Sequence, residues 1–267
     1  MDSHATNEGV AFNLKRFDYE GGTQIRLYER VLKHGSIKQK NEYDGKDDEV
    51  YYESNNKRDN QDDILEDKKR SELESRNRTV QNIYGIARAN KWDLFLTITF
   101  NPDIVDSTNY DEVVKKTQNW LNNVRKRVAP NMKYILVPEL HADGKKWHFH
   151  GLLADCEELT LIETNIVRNG KIVYNLGNWK YGFTEVTKVE DTRRVSSYIS
   201  KYITKEVCDV TFGKKRYWAS KNCIRAEQVT THDMIDDIQE YIQKISNDIK
   251  YMKTVEHYGQ KVYYIEV

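Results

Sequence analysis

Apolar positions along the chain repeat with different periods in different stretches. Leu94-Phe95-Leu96-Thr97-Ile98-Thr99-Phe100 is β-branched and aromatic and is closed by Asn101-Pro102, which predicts a strand. Over Tyr110–Arg127, Val113, Val114, Trp120, Leu121 and Val124 recur at helical spacing ahead of the basic end Arg125-Lys126-Arg127, so a helix is expected there. Tyr134–Leu140 and Lys146–Leu153 read as two further strands joined by the turn pair Asp143-Gly144. Asn169-Gly170 and Gly177-Asn178 bracket Ile172-Val173-Tyr174, predicting a hairpin or insertion over 165–180. Another strand is expected at Phe183–Val189 and a helix from Thr192 to Val207. Upstream, Val80, Ile83, Tyr84 and Ala87 predict a helix over Thr79–Ala89, stopped by Asn90-Lys91-Trp92. The order β-α-β-β-β-α predicts an α+β fold with helices gathered on one face of an antiparallel sheet.

The two ends read differently. From Asn41 to Arg78 charged residues dominate and apolar ones are sparse, a composition that cannot bury a core, so residues 1–78 are expected to be a charged, partly flexible or helical arm. The central domain is placed at 79–222 and a C-terminal helical extension at 223–267. There, Ile235, Ile238, Ile242, Ile245, Ile249 and Met252 alternate three and four residues apart, the spacing of a heptad seam. Such a seam either lies on its own domain or pairs two copies as a homodimer through residues 232–254.

The formal net charge of zero argues at first against a nucleic-acid partner, but it hides an uneven distribution. Residues 1–90 carry 16 basic and 18 acidic groups, 91–222 carry 21 and 16, and 223–267 carry 5 and 8. Only the middle is basic, a bias compatible with a phosphate-tracking groove. No apolar run is long enough to span a bilayer and the start does not read as a secretory signal, so no membrane role and a cytoplasmic location are expected. Cys156, Cys208 and Cys223 are odd in number with no CxxC pair, which predicts reduced thiols rather than a disulfide framework or zinc finger. A phosphate-loop pattern GxxxxGK[ST] does not occur, so no NTP-driven motor is encoded in the sequence.

His148 and His150 flank Phe149 on a predicted strand, and the period of two directs both imidazoles to one face. The Asp143-Gly144 turn brings Glu139 back alongside them, giving two nitrogens and one carboxylate. A mixed set with room for water and phosphate oxygens suits catalytic Mg²⁺ or Mn²⁺ better than closed structural zinc. His141, two residues from Glu139 on the same face, is a rival third ligand. A second cluster, Tyr198-Ile199-Ser200-Lys201-Tyr202-Ile203-Thr204-Lys205, sets two tyrosines one helical turn apart, each three residues before a lysine. On a helical wheel Val195, Ile199 and Ile203 form an apolar face that includes Tyr202. Tyr198 falls at its edge beside Lys201 and Lys205, where a nearby ammonium favours the phenolate of a nucleophile. Tyr202 is open to a second reading, as a ring that fills the core.

These segments resemble, in the family's order, three motifs of HUH-superfamily rolling-circle replication initiators. Phe95–Phe100 is similar to the first motif, Trp147–Leu153 to the HUH motif and Tyr198–Lys205 to the YxxKYxxK motif. The two-tyrosine form is most similar to the initiators of small single-stranded-DNA bacteriophages and related plasmids. The resemblance covers roughly residues 90–208. It implies an RRM/ferredoxin-like endonuclease core over 79–222. It also implies a metal-dependent enzyme of the bacterial host cytoplasm that nicks single-stranded or locally melted origin DNA. Glu139, His148 and His150 would hold the metal, Tyr198 would attack, and Lys201 would stand near the phosphate or phenolate. The products would be a 5′-phosphotyrosyl enzyme and a free 3′-hydroxyl for a DNA polymerase, with Tyr202 cutting the regenerated junction and a separate helicase unwinding. The competing readings are an HUH transposase of a mobile element and a non-catalytic DNA-binding module whose histidines hold a structural metal.

Overall fold

The computed structural model describes residues 11–19, 21–33, 61–211, 213–257 and 259–267, without the side chains of 61–67, 205 and 257. In chain order its elements are strands β1 (Ala11–Tyr19) and β2 (Gly22–Lys33), helix α1 (Gln61–Ala89), β3 (Leu94–Ile98), α2 (Tyr110–Arg127), β4 (Lys133–Leu140), β5 (Trp147–Ala154), β6 (Leu161–Arg168), β7 (Lys171–Leu176) and β8 (Thr184–Lys188). Then come α3 (Thr192–Ile199), a single 3₁₀ turn (Ser200–Tyr202), α4 (Lys205–Val210), β9 (Trp218–Ala219), β10 (Thr230–Asp233), α5 (Ile238–Lys244), β11 (Tyr251–His257) and β12 (Gln260–Glu266). The chain forms two compact units, Ile64–Gln228 and Met1–Asp63 with Val229–Val267. The fold is α+β, with an antiparallel sheet in each unit.

In the Ile64–Gln228 unit seven strands run in the order β6-β7-β8-β3-β5-β4-β9. Helix α2 has the bounds its periodicity predicts because both ends are marked. The Asn109 side chain accepts the N–H groups of Asp111 and Glu112, and Arg125, Lys126 and Arg127 complement the C-terminal dipole. Its Val113, Trp120, Leu121 and Val124 are buried in the core with Leu96, Ile98 and Phe149. The hairpin expected over 165–180 is β6 and β7, turning at Asn169-Gly170, both at positive φ. The sheet centre is close-packed: a Cβ on Gly151 would collide with the Leu136 side chain and approach the Ile135 carbonyl to 3.0 Å.

Helices meet both faces of this sheet, where one face was expected. Tyr110 of α2 meets Trp147 edge to face at 4.7 Å, and Tyr202 stacks on His150 at 3.6 Å. Trp147 and His150 are three residues apart on β5, so they point to opposite faces.

The ends of the chain depart most from expectation. The N-terminal arm is in part a hairpin, β1 and β2, with Phe12, Leu14, Phe17, Tyr19, Ile25 and Leu27 buried. Residues 34–60, including most of the charged stretch from Asn41, lie outside the described residues, and Gln61–Arg78 begins α1. The C-terminal segment pairs with the N-terminal one in the order β10-β1-β2-β12-β11. It is no long helix: α5 has seven residues, and Met252 falls on β11. Ile235, Ile238, Ile242, Ile245 and Ile249 pack instead on the unit's own core of Leu14, Ile25, Leu27, Tyr263 and Ile265. The seam therefore covers its own sheet, and it ends where Asp237 caps α5 by accepting from Gln239 and Glu240 and a turn leads into β11.

The buried Asn13 fixes this junction. Its Nδ2 donates to the Ile235 carbonyl at 2.7 Å and its Oδ1 accepts the Ile235 N–H at 2.8 Å. Asn13→Ala strands both backbone groups and is expected to lower stability by about 2 kcal/mol. Chemical denaturation checks this, and an unchanged midpoint would show that the pair contributes nothing net.

Candidate metal and tyrosine site

Strand β5 carries His148 and His150 at alternate positions, with Phe149 fully buried on the opposite face. The antiparallel register sets Glu139 of β4 opposite His148 and Val137 opposite His150. Both imidazoles direct Nε2 at one oxygen, Glu139 Oε2, His148 at 2.7 Å and His150 at 2.6 Å. Burial raises the Glu139 carboxyl, but hydrogen bonds from both histidines and their charge outweigh it and hold the group down at about 2. Burial chiefly depresses the His150 pKa, with the Glu139 hydrogen bond opposing, so its ring is neutral near neutral pH. An ionised carboxylate and neutral imidazole are the forms that bind metal.

Ligand atoms of Glu139, His148 and His150 all lie within 4.8 Å of one another, a spacing able to hold a metal ion. The donor set fits Mg²⁺ or Mn²⁺ with positions left for other oxygens. His141, the rival third ligand, is not in this cluster; its ring lies edge-on to His148 at 5.9 Å.

One partner escaped the sequence reading. Thr97 of β3 is opposite His150, and its Oγ1 lies 3.1 Å from His150 Nδ1. With Nε2 turned to a cation, the ring proton sits on Nδ1 and is donated to Thr97 Oγ1, which fixes tautomer and ring orientation. The alternation of Leu94–Phe100 marks Thr97 as a face residue, but its partner depends on cross-strand register. Thr97→Val is expected to weaken Mn²⁺ binding about 10- to 100-fold in titration calorimetry, with Thr97→Ser close to the parent. Equal affinity for the valine variant would remove Thr97 from this role.

The tyrosine segment is not one helix. Helix α3 ends at Ile199, Ser200–Tyr202 form a 3₁₀ turn, and Thr204 adopts extended backbone to cap α4 by accepting the Val207 N–H. Ile199 and Ile203 are buried as the wheel required. The Tyr202 ring lies flat on His150, with centroids 3.6 Å apart and planes 9° apart. Burial, then Tyr198 and the Glu139 carboxylate, push the Tyr202 phenol well above its ordinary range, so it stays protonated. Tyr198 is 50% exposed and packs against Phe95 at 5.5 Å and Tyr202 at 5.3 Å. Lys201 is exposed on the 3₁₀ turn, while the side chain of Lys205 lies outside those described. The fold thus brings Tyr198, Tyr202 and the Glu139–His148–His150 triad together.

Residues 93–207 match a family of replication-associated proteins, the ORF2 type. The matched span, less than half of the chain, contains Thr97, the triad and both tyrosines. No curated protein and no solved structure matches the chain. Among the described residues no helix is long and apolar enough to cross a membrane.

Proposed function

We propose that this chain is a replication initiator that nicks and rejoins single-stranded DNA at an origin through a tyrosine. The observation that carries the reading is the tyrosine pair set against the triad, with Tyr202 stacked on His150 and Tyr198 exposed beside it. The family match over the same residues supports a role in DNA replication.

Glu139, His148 and His150 would hold Mg²⁺ or Mn²⁺, which when bound polarises the scissile phosphate and stabilises charge on its oxygens. Tyr198 Oη attacks the phosphorus; the Oη–P bond forms, the P–O3′ bond breaks, and the phenolic proton passes to solvent. The leaving 3′ oxygen takes up a proton and ends as a free hydroxyl that a DNA polymerase can extend. The 5′-phosphotyrosyl bond keeps the energy needed for rejoining. Tyr202 supplies a second nucleophile for the junction regenerated after one circle, and Lys201 and Lys205 add cationic charge to the same segment. Single-stranded or locally melted DNA is the substrate, and a separate helicase supplies unwinding. The test is incubation of the full chain with a single-stranded origin oligonucleotide and Mn²⁺, followed by denaturing electrophoresis. A covalent protein–DNA band is expected, and retarded but uncleaved DNA would make the protein a binding module.

A further inference from the structure

The face of the seven-stranded sheet that carries the triad extends beyond it. Residues opposite one another in an antiparallel pair share a face. Thr97 is opposite both His150 of β5 and Glu185 of β8, and Ile98 is opposite both Phe149 and Thr184. Continued by one residue, these registers bring Thr99 into line with His148 on one side and Phe183 on the other. Hydrogen bonds support the continuation on the β8 side: Thr99 N–H donates to the Phe183 carbonyl at 2.9 Å and Asn101 N–H to the Tyr181 carbonyl at 2.8 Å. Phe183, Thr99, His148 and Glu139 therefore form one row across four neighbouring strands. At the strand spacing of about 4.8 Å, Phe183 stands about 10 Å from His148.

Phe183 is 76% exposed, while its neighbour Thr184, on the opposite face, is buried. Its backbone is firmly held. Thr99 Oγ1 also donates to the Phe183 carbonyl, at 3.0 Å, and Trp179 Nε1 donates to the Thr99 carbonyl at 3.2 Å. Gly182 lies so close to β3 that an added Cβ would clash with the Thr99 carbonyl and come within 2.7 Å of the Asn101 nitrogen. An exposed ring on a fixed backbone loses little freedom when another ring stacks on it. The charge around it suits a polyanion: Lys116 and Lys180 both place Nζ 5.5 Å from the neighbouring Tyr181 ring. The acid on this face, Glu185, is paired with Arg168 at 2.7 Å.

We infer that Phe183 is a stacking platform for an unpaired base of the DNA strand, with Lys116 and Lys180 near its backbone. Single-stranded nucleic acid is the occupant this chemistry selects, because its bases offer free π-faces that a duplex hides, and stacking on an aromatic ring is tolerant of sequence. The inference rests on the DNA-nicking reading for the identity of the strand.

The experiment measures binding of fluorescein-labelled oligothymidylate, about twenty nucleotides long, to the full chain without divalent metal, beside a duplex of equal length. Phe183→Ala is expected to weaken oligothymidylate binding about tenfold and leave duplex binding within about twofold. Phe183→Leu, which keeps an apolar side chain but no π-face, should lose as much as alanine, and Phe183→Trp should bind at least as well as the parent. Thermal melting of each variant monitors folding, and because the ring is exposed all are expected to melt with the parent. Parental affinity in the alanine variant, equal losses on single strand and duplex, or parental affinity in the leucine variant would each overturn the platform. If the parent binds no oligothymidylate and also forms no covalent adduct, the nicking reading fails with it. If the parent forms the adduct and the Phe183 variants bind as the parent does, the platform alone fails.

Discussion

Replacing His148 and His150 together by alanine is expected to reduce cleavage of a single-stranded origin oligonucleotide at least about a thousandfold, with DNA affinity within a few-fold of the parent. The two activities separate because they draw on different groups. The histidines supply two of three donor atoms in the triad, and their loss removes several kcal/mol of charge stabilisation at the phosphate, each 1.36 kcal/mol counting about tenfold in rate. Affinity for DNA comes mainly from basic groups elsewhere. Because Glu139 would be left half-buried without its hydrogen bonds, Glu139→Gln should accompany the test; it keeps the size and removes the anionic ligand. Chelation of the parent by EDTA should match the double variant, and added Mn²⁺ should restore the parent but not the variant. Cleavage by the double variant at the parental rate would end the metal assignment.

Tyr198→Phe is expected to abolish the covalent adduct formed by the first cleavage while leaving the fold intact. The substitution removes one exposed hydroxyl and keeps the ring contacts with Phe95 and Tyr202. Tyr202→Phe should be milder in a single-turnover cleavage, since Tyr202 packs on His150 and its phenol is held protonated. Its loss should appear instead when a regenerated junction must be cut. Normal adduct from Tyr198→Phe together with none from Tyr202→Phe would reverse the assignment. Activity in both single variants with none in the double would make the tyrosines interchangeable.

How far these features are legible depends on whether the signal is local. Helix α2 could be read to the residue, since its apolar stripe, its Asn109 cap and its basic end all lie within some twenty positions. The triad was legible for a similar reason: alternation places both histidines on one face, and a single tight turn brings Glu139 opposite His148. The break after Ile199 was missed because the apolar spacing of Val195, Ile199 and Ile203 continues through it. The competing signal is the Thr204 side chain, which accepts from Val207 and opens a new helix. The isoleucine seam misled for another reason. Its spacing demands burial on one side but does not say against what, and the covering sheet joins residues far apart, as where Thr23 and Val267 exchange backbone hydrogen bonds. The β1–β2 hairpin did leave a trace, Gly21-Gly22 between runs containing Phe17, Tyr19, Ile25 and Leu27, which the charge-rich stretch that follows obscured. Thr97 and Phe183 acquire their significance only through register, which no single strand encodes.

The most direct measurement is peptide mass spectrometry of the adduct formed by the unaltered chain with a single-stranded origin oligonucleotide and Mn²⁺. The account predicts nucleotide attached through a phosphodiester to the peptide that contains Tyr198, with fragmentation placing it on that residue. Attachment to a residue outside the Tyr198–Tyr202 pair, or cleavage that leaves no protein-linked nucleotide, would contradict it.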